Sequence, residues 1–333
     1  MSTEARIQSF RDTFTKLRAE IGKVMVGHQE IVDGTLTAIF AGGHVLLEGV
    51  PGLGKTLLVR TLSEVLDLSF NRIQFTPDLM PADIVGTNLV VENPDGRREF
   101  QFQRGPIFAH IILADEINRA TPKTQSAMLE AMQEKQVTAA GEIRKLAEPF
   151  FVLATQNPID QEGTYPLPEA QLDRFFFKLV VGYPSAADLT EIINRTTEGH
   201  KVQLNKVLDG ASLLDLQKLV REVPVASHVK DYAVRLILAT HPKTDTAAPV
   251  ANQYLRFGSS PRGAQCLILA GKVRALTQGR FNVSFDDIQA VTTAALRHRL
   301  ILNFEAEAEG ITTDMIIGQI LKGVPRNAEA VKA

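Results

Sequence analysis

The sequence predicts an α/β core carrying two β-hairpin inserts, followed by an all-helical C-terminal unit. Three observations predict it. Five short strand-type stretches, four of them apolar (near 44–48, 110–114, 150–154 and 175–181) and one at 69–75, alternate with stretches of helical periodicity. Two further pairs of β-type segments are joined by tight-turn residues. After Gly182-Tyr-Pro184 only helical periodicity follows, which places a boundary near 183 and divides the chain into 1–183 and 184–333.

The 333 residues suffice for one large or two ordinary domains with buried cores. Hydrophobic residues make up 44% and charged ones 22%, the balance of a globular chain rather than a disordered one. No apolar run follows Met1-Ser-Thr-Glu-Ala-Arg6, and no stretch approaches the roughly 18 uninterrupted apolar residues of a membrane span. The single Cys266 cannot close an internal disulfide and reads as a small core residue in Gln265-Cys-Leu-Ile-Leu-Ala270. Together these features point to the cytoplasm. A net charge of -2 gives no global field for nucleic acid.

In chain order, Ile7, Phe10, Phe14, Leu17 and Ile21 recur at helical spacing and predict a lead-in helix over 4–22. A turn at Val26-Gly-His-Gln29 opens a second helix that ends near Ala41. His44-Val-Leu-Leu-Glu48 is a short strand, Gly49-Val-Pro-Gly-Leu-Gly-Lys-Thr56 follows, and Leu57 to Leu68 is helical. The octapeptide fits G-x-x-x-x-G-K-[ST] in the strand–loop–helix context that gives the pattern meaning. Gly49, Gly52 and Gly54 let the backbone curl until successive N–H groups face one concavity suited to phosphate oxygens. The helix N-terminus adds partial positive charge there. Lys55 can reach the β- and γ-phosphates of ATP, and the Thr56 hydroxyl can ligate Mg²⁺. Gly49, Val50, Pro51, Gly52, Leu53, Gly54, Lys55, Thr56 and Leu57 are the candidate nucleotide loop.

Ser69 to Phe75 predicts the second strand. Thr87-Asn-Leu-Val-Val91 and Glu99-Phe-Gln-Phe-Gln103, joined by Asn93-Pro-Asp-Gly96, predict a hairpin set into a crossover connection. His110-Ile-Ile-Leu-Ala114 is a strand ending in Asp115-Glu116, and a helix follows from Pro122 to about Glu134. Gln136-Val-Thr-Ala139 and Glu142-Ile-Arg-Lys-Leu146, joined through Ala140-Gly141, predict a second hairpin. Phe150-Phe-Val-Leu-Ala154 ends in Thr155-Gln-Asn157, and Phe175 to Val181 is the fifth strand. Helices are then expected at about 185–199, 211–222, 227–240, 261–278, 284–300 and 312–322, with a frayed tail from Val324 to Ala333.

Hydrolysis needs more than a phosphate cradle. Asp115 falls at the carboxyl end of a strand, where open α/β sheets present ligand-facing groups, and its carboxylate can hold Mg²⁺. Glu116 beside it can orient or deprotonate an attacking water. The Asn157 amide, at the end of the next strand, can contact the γ-phosphate or that water. Arg174, in Gln171-Leu-Asp-Arg-Phe175, can stabilise transition-state charge, or can simply pair with Asp173 or Glu169. Arg262 follows Pro261 in the first turn of a predicted helix, where a cation opposes the helix dipole, so an anionic partner is expected for it.

In order along the chain, Gly49–Thr56, Asp115-Glu116, Asn157, Leu172-Asp-Arg174 and Ser260-Pro-Arg262 resemble the AAA+ motifs Walker A, Walker B, sensor 1, arginine finger and sensor 2. More narrowly, several long stretches are similar to the MoxR ATPases. They are Leu46 to Thr56, Arg72-Ile-Gln-Phe-Thr-Pro-Asp-Leu-Met-Pro81 with Asp83-Ile-Val-Gly86, Asp115-Glu-Ile-Asn-Arg-Ala120, Ala154-Thr-Gln-Asn-Pro158 and Tyr165 to Phe175. The resemblance covers roughly 20–300. It implies a five-stranded parallel sheet in AAA+ order with a helical lid, and it places Val26 and Gly27 beside the adenine. It also implies a homo-oligomeric ring, a hexamer, with Arg174 or Arg119 acting on a neighbour's nucleotide. Partners with von Willebrand factor A domains and a part in maturing protein complexes are implied as well.

The leading reading is therefore an ATP-hydrolysing, chaperone-like remodelling ring. A nucleic-acid motor resembling the replicative helicases is the alternative, because Arg97, Arg98, Arg104, Arg144 and Lys145 lie in or beside the hairpins. Against it stand the near-neutral charge and the lack of a separate basic or zinc domain. A small-molecule kinase would need an acceptor domain that the chain does not show.

Overall fold

The computed structural model describes residues 2–326 apart from 51, 93, 158–163 and 198–201. Helix α1 (Thr3–Gly22) turns Ile7, Phe10, Phe14, Leu17 and Ile21 inward, and Phe10 meets Phe40 of α2 (Gln29–Ala41) with ring centroids 4.9 Å apart. Strand β1 (Val45–Glu48) then leads through the glycine-rich loop into α3 (Lys55–Val65), and β2 (Phe70–Gln74) and the short α4 (Pro81–Val85) follow. Strands β3 (Gly86–Glu92) and β4 (Arg98–Arg104) form the first expected hairpin, with Val90 opposite Phe100. Strand β5 (Ile111–Asp115), a single 3₁₀ turn (Ile117–Arg119) and α5 (Pro122–Glu134) come next.

The second hairpin joins β6 (Gln136–Ala139) to β7 (Glu142–Lys145), and both turn residues, Ala140 and Gly141, have positive φ, 54° and 80°. That is the turn geometry whose twist matches the flanking strands. Strand β8 (Phe151–Gln156), a one-turn α6 (Glu169–Leu172) and β9 (Phe177–Val180) complete the core. The fifth strand starts two residues later than its apolar run predicts, because Phe175 and Phe176 donate backbone N–H groups to Leu172 and to His44 before the ladder begins.

The five core strands lie in the order β2-β5-β8-β1-β9, and every pairing is parallel. Strands β1, β5 and β8 are buried almost throughout, as a sheet covered on both faces must be. The carboxyl ends of β1, β5 and β8 therefore converge on one edge, at Glu48, Asp115 and Gln156.

Beyond Val181 the helices are α7 (Ala186–Thr197), α8 (Gly210–Glu222), α9 (Ser227–Ala239), α10 (Pro249–Tyr254), α11 (Pro261–Thr277), α12 (Phe285–Leu296), α13 (Phe304–Ala308) and α14 (Thr313–Gly323). The expectation of helices alone needs one correction. Leu255–Phe257 and Ile301–Leu302 form a two-stranded antiparallel ribbon, β10 and β11, each too short to leave a period-2 signature. One buried cluster runs from Phe10 through Leu47 to Leu267 and Ala295, so the helical lid shares its core with the sheet. Cys266 lies in that cluster, donating its thiol to the Phe176 carbonyl, and burial pushes its pKa up to about 12. No helix among the described residues is long and apolar enough to cross a membrane.

His44, just before β1, is buried between the Met132 carbonyl (2.9 Å) and the Val152 N–H (3.0 Å). Burial is the main cause that lowers its pKa to about 4. In the unfolded chain a histidine binds its proton near 6.5, so from pH 6.5 down to about 4 the unfolded state gains protons that His44 refuses. Stability should fall with pH through that window, by about 3 kcal/mol from this residue. Urea denaturation between pH 7 and pH 4.5 measures it. His44→Gln should start less stable and show a shallower pH slope, whereas an unchanged slope would remove His44 as a source.

Candidate nucleotide site

Strand β1 delivers the chain into the glycine loop, and α3 begins at Lys55 with Gly54 at its N-cap. Gly54 has φ 77° and offers no side-chain cap, so the first-turn amides of α3 are left for an anion. Gly49 must be glycine for another reason: a Cβ there would meet the Val181 carbonyl oxygen at 2.7 Å. Val50 offers its carbonyl to Lys55 at 3.3 Å, and the Lys55 ammonium also donates to the Gly49 carbonyl. Burial lowers the pKa of Lys55, opposed by the nearby Asp115 and Glu116 charges. Pro51 lies outside the described residues.

Gly52, Gly54, Lys55, Thr56 and Leu57 wall one side of a cleft of about 400 Å³, and Arg72, Gln74, Asp115, Glu116, Thr155 and Asn157 wall the other. The structure thus brings together the cradle, both expected carboxylates and Asn157. Sequence reasoning gave no role to Thr155, Arg72 or Gln74. The Thr155 hydroxyl donates to Asp115 Oδ1 at 2.6 Å and accepts the Glu116 backbone N–H at 2.8 Å, fixing the two acids relative to β8. Glu116 sits in the left-handed region with φ 56°, which turns its side chain back into the cleft. Its Oε2 accepts from Gln74 Nε2 at 3.0 Å and from Arg119 Nη1 at 2.8 Å. Arg119, the rival trans-acting arginine, is therefore engaged within its own subunit.

A second cavity of about 450 Å³ adjoins the cleft across Gly52, Gly54 and Leu57. Val26, Leu53, Tyr183, Pro184, Leu189 and Ile192 give it apolar walls, and Tyr183 is 79% exposed. These dimensions suit a purine base continuing from the phosphate cradle. Val26, which the family resemblance assigns to the adenine side, lines this cavity. Gly27 packs on Asp188, whose Cγ a Cβ would meet at 2.9 Å, and its φ of 67° favours glycine in any case. The contribution of α7 was missed, although Leu189 and Ile193 form an exposed apolar pair at i, i+4.

Arg174 and Arg262 are not in this cleft. They line a different cavity, of about 370 Å³, with Gly43, His44, Lys135, Asp173 and Arg299. Its walls come from the amino end of β1 and the residues before β9, the opposite sheet edge from the glycine loop. Arg174 Nη1 donates to the Leu129 carbonyl at 2.8 Å, and among the described residues no carboxylate pairs with it. The expected alternative pairing with Asp173 or Glu169 is not what the structure shows. Asp173 instead accepts from Arg299 Nε (2.9 Å) and Ser260 Oγ (2.9 Å), with Arg262 Nη1 at 3.7 Å. Arg299 also donates to the Phe175 carbonyl at 2.7 Å, so a lid arginine clasps the segment that carries Arg174.

The residues present fit Mg²⁺ and ATP. The donor set is a hydroxyl, Thr56, and a strand-end carboxylate, Asp115, beside an uncapped helix N-terminus. Among the described residues no three His, Cys, Asp or Glu side chains gather to hold a metal alone.

Comparison with known proteins agrees with this arrangement. The model of the ATPase family associated with various cellular activities (AAA) matches residues 44–177, and that of the AAA lid domain matches 247–320. The YeaC protein of Bacillus subtilis strain 168, itself uncharacterized, is 44% identical over 91% of this chain and 92% of its own length. Chaperone MoxR1 of Mycobacterium tuberculosis is 43% identical over 92% of this chain and 80% of its own. A solved structure from Cytophaga hutchinsonii, provisionally assigned as an ATPase, superposes with a TM-score of 0.90 at 42% identity over 97% of both chains. With such relatives spanning its length and both family models matching, the chain belongs to the MoxR family of AAA+ ATPases.

Proposed function

We propose that this protein hydrolyses ATP with Mg²⁺ in a ring of copies, a hexamer, and uses the cycle to remodel a protein client in the cytoplasm. Thr56 and Asp115 would hold the metal, which when bound neutralises charge on the β- and γ-phosphates. Lys55 exchanges its loop carbonyls for phosphate oxygens. Glu116, oriented by Gln74 and Arg119, accepts the proton of the attacking water, and Asn157 helps place that water. The observation that carries the ring is the position of Arg174 and Arg262. They sit at the far end of β1 from their own cradle, in a cavity where cations outnumber the single acid Asp173. Arginines so placed lie away from their own cradle and are positioned to serve a nucleotide held by another copy. The engagement of Arg119 with Glu116 favours Arg174 as the trans-acting residue.

The hairpins support a protein client over nucleic acid. Arg98 lies 3.8 Å from Glu92, Arg144 pairs with Glu142 at 2.8 Å, and Arg104 stands over the Phe108 ring. The Arg144 guanidinium also stacks on Phe102 at 3.6 Å, tying the second hairpin to the first. Apolar side chains stand outward among these charges: Phe100 is 77% exposed, Ile143 67%, and Val90 stands opposite Phe100. Exposed apolar strand residues of this kind mark a contact surface.

Replacing residues 90–100 with a short Gly-Ser turn should leave basal ATPase in place and abolish stimulation by a von Willebrand A-type partner. If DNA or RNA instead stimulates the wild type with a steep salt dependence, and Arg97 and Arg98 neutralisation removes the effect, the protein-client reading fails.

A further inference from the structure

Asp115 is engaged at both oxygens. Oδ1 accepts the Thr155 hydroxyl at 2.6 Å, and Oδ2 accepts both Nε (3.0 Å) and Nη2 (2.6 Å) of Arg72. Arg72 stands on the edge strand β2, opposite Leu113, and reaches forward to the carboxylate at the end of β5. Its side chain is 49% exposed while that of Asp115 is 13%, so the guanidinium covers Asp115 from the solvent side of the cleft. The β2–β5 pairing already has a five-residue parallel ladder, so the ion pair is not what joins these strands. A guanidinium bonded twice to one carboxylate oxygen does electrostatically what a divalent cation does there: it neutralises the charge and fills the lone-pair directions.

We propose that Arg72 is the internal counter-ion of Asp115 and competes directly with the metal ion for Oδ2, so that metal-nucleotide binding displaces the guanidinium. This rests on the reading of Asp115 as the metal-side carboxylate. Displacement need not expel the side chain, because Nη2 also donates to Gln74 Oε1 at 2.6 Å and can pivot about that contact. The consequence is a defined sign in the linkage between metal and nucleotide. When metal is scarce, Arg72 shields the incoming polyphosphate from the Asp115 charge. When metal is plentiful, Arg72 must be moved aside and opposes binding.

The test compares the dissociation constant of a fluorescent, non-hydrolysable ATP analogue in EDTA with that in saturating Mg²⁺, for wild type, Arg72→Gln and Arg72→Lys. The readout is the ratio of the two constants, not turnover. Arg72→Gln should weaken binding in EDTA and preserve or tighten it in Mg²⁺, raising the ratio about five- to tenfold, the scale of a half-exposed charge-assisted pair. Arg72→Lys keeps the charge but loses the fork, so its ratio should rise less. Circular dichroism confirms the fold, and Arg72→Lys carries the test alone if Arg72→Gln misfolds. A ratio that stays constant makes Arg72 merely structural, and one that falls makes it a contact of the loaded site. Either overturns the proposal while nucleotide binding by the wild type stands. If the wild type binds no analogue in either condition, the nucleotide reading itself falls and takes this inference with it.

Discussion

Glu116→Gln is expected to keep ATP binding and lose turnover by ~10²–10⁴-fold, the range for removal of a positioned general base. The substitution keeps the shape and one acceptor oxygen to face the Gln74 and Arg119 donors, so the local fold persists while the proton acceptor is lost. Lys55→Ala should fail earlier, at binding, because the ammonium is the one mobile cation that the loop itself holds, on its Gly49 and Val50 carbonyls. Equilibrium nucleotide binding and single-turnover phosphate release, measured on both variants, separate the two steps. Wild-type turnover by Glu116→Gln would remove Glu116 from the role of base. The same variant, holding ATP and client together, is the bait for identifying the client.

The second large effect concerns assembly. Arg174→Ala should lower turnover by ~10³-fold or more if the guanidinium stabilises charge on a neighbour's γ-phosphate. Nucleotide affinity should change little, since Arg174 does not line its own cleft. Glu116→Gln subunits mixed with Arg174→Ala subunits should then recover activity. In a random ring with equal input, roughly a quarter of the interfaces pair an intact Glu116 with an intact Arg174 from the next copy. Arg262→Ala should behave like Arg174→Ala in the same mixture. Sedimentation confirms that mixed rings form, and no recovery at any ratio would falsify action in trans.

The sequence by itself determined the elements that depend on local chemistry. The glycine loop is legible because its conformation needs residues that tolerate positive φ, and Gly52 and Gly54 have it. Both hairpins are legible because their turns need the same freedom, at Gly96 and at Ala140-Gly141. Four of the five core strands announce themselves as apolar runs between helical stretches, and Asp115, Glu116 and Asn157 follow from strand ends alone. Tertiary structure decided what distant segments do to one another. Nothing local says that Arg72 bonds Asp115, 43 residues away, or that Arg299 clasps Asp173 across 126. The apolar wall beside the glycine loop needs α7 folded back on it, which a period of 3.6 cannot reveal. Arg174 and Arg262 lie far apart in the chain and share a cavity only because the lid packs on the sheet's amino edge. Periodicity and turn chemistry are properties of short segments, whereas the partner of a charge is set by which segments the shared core brings together.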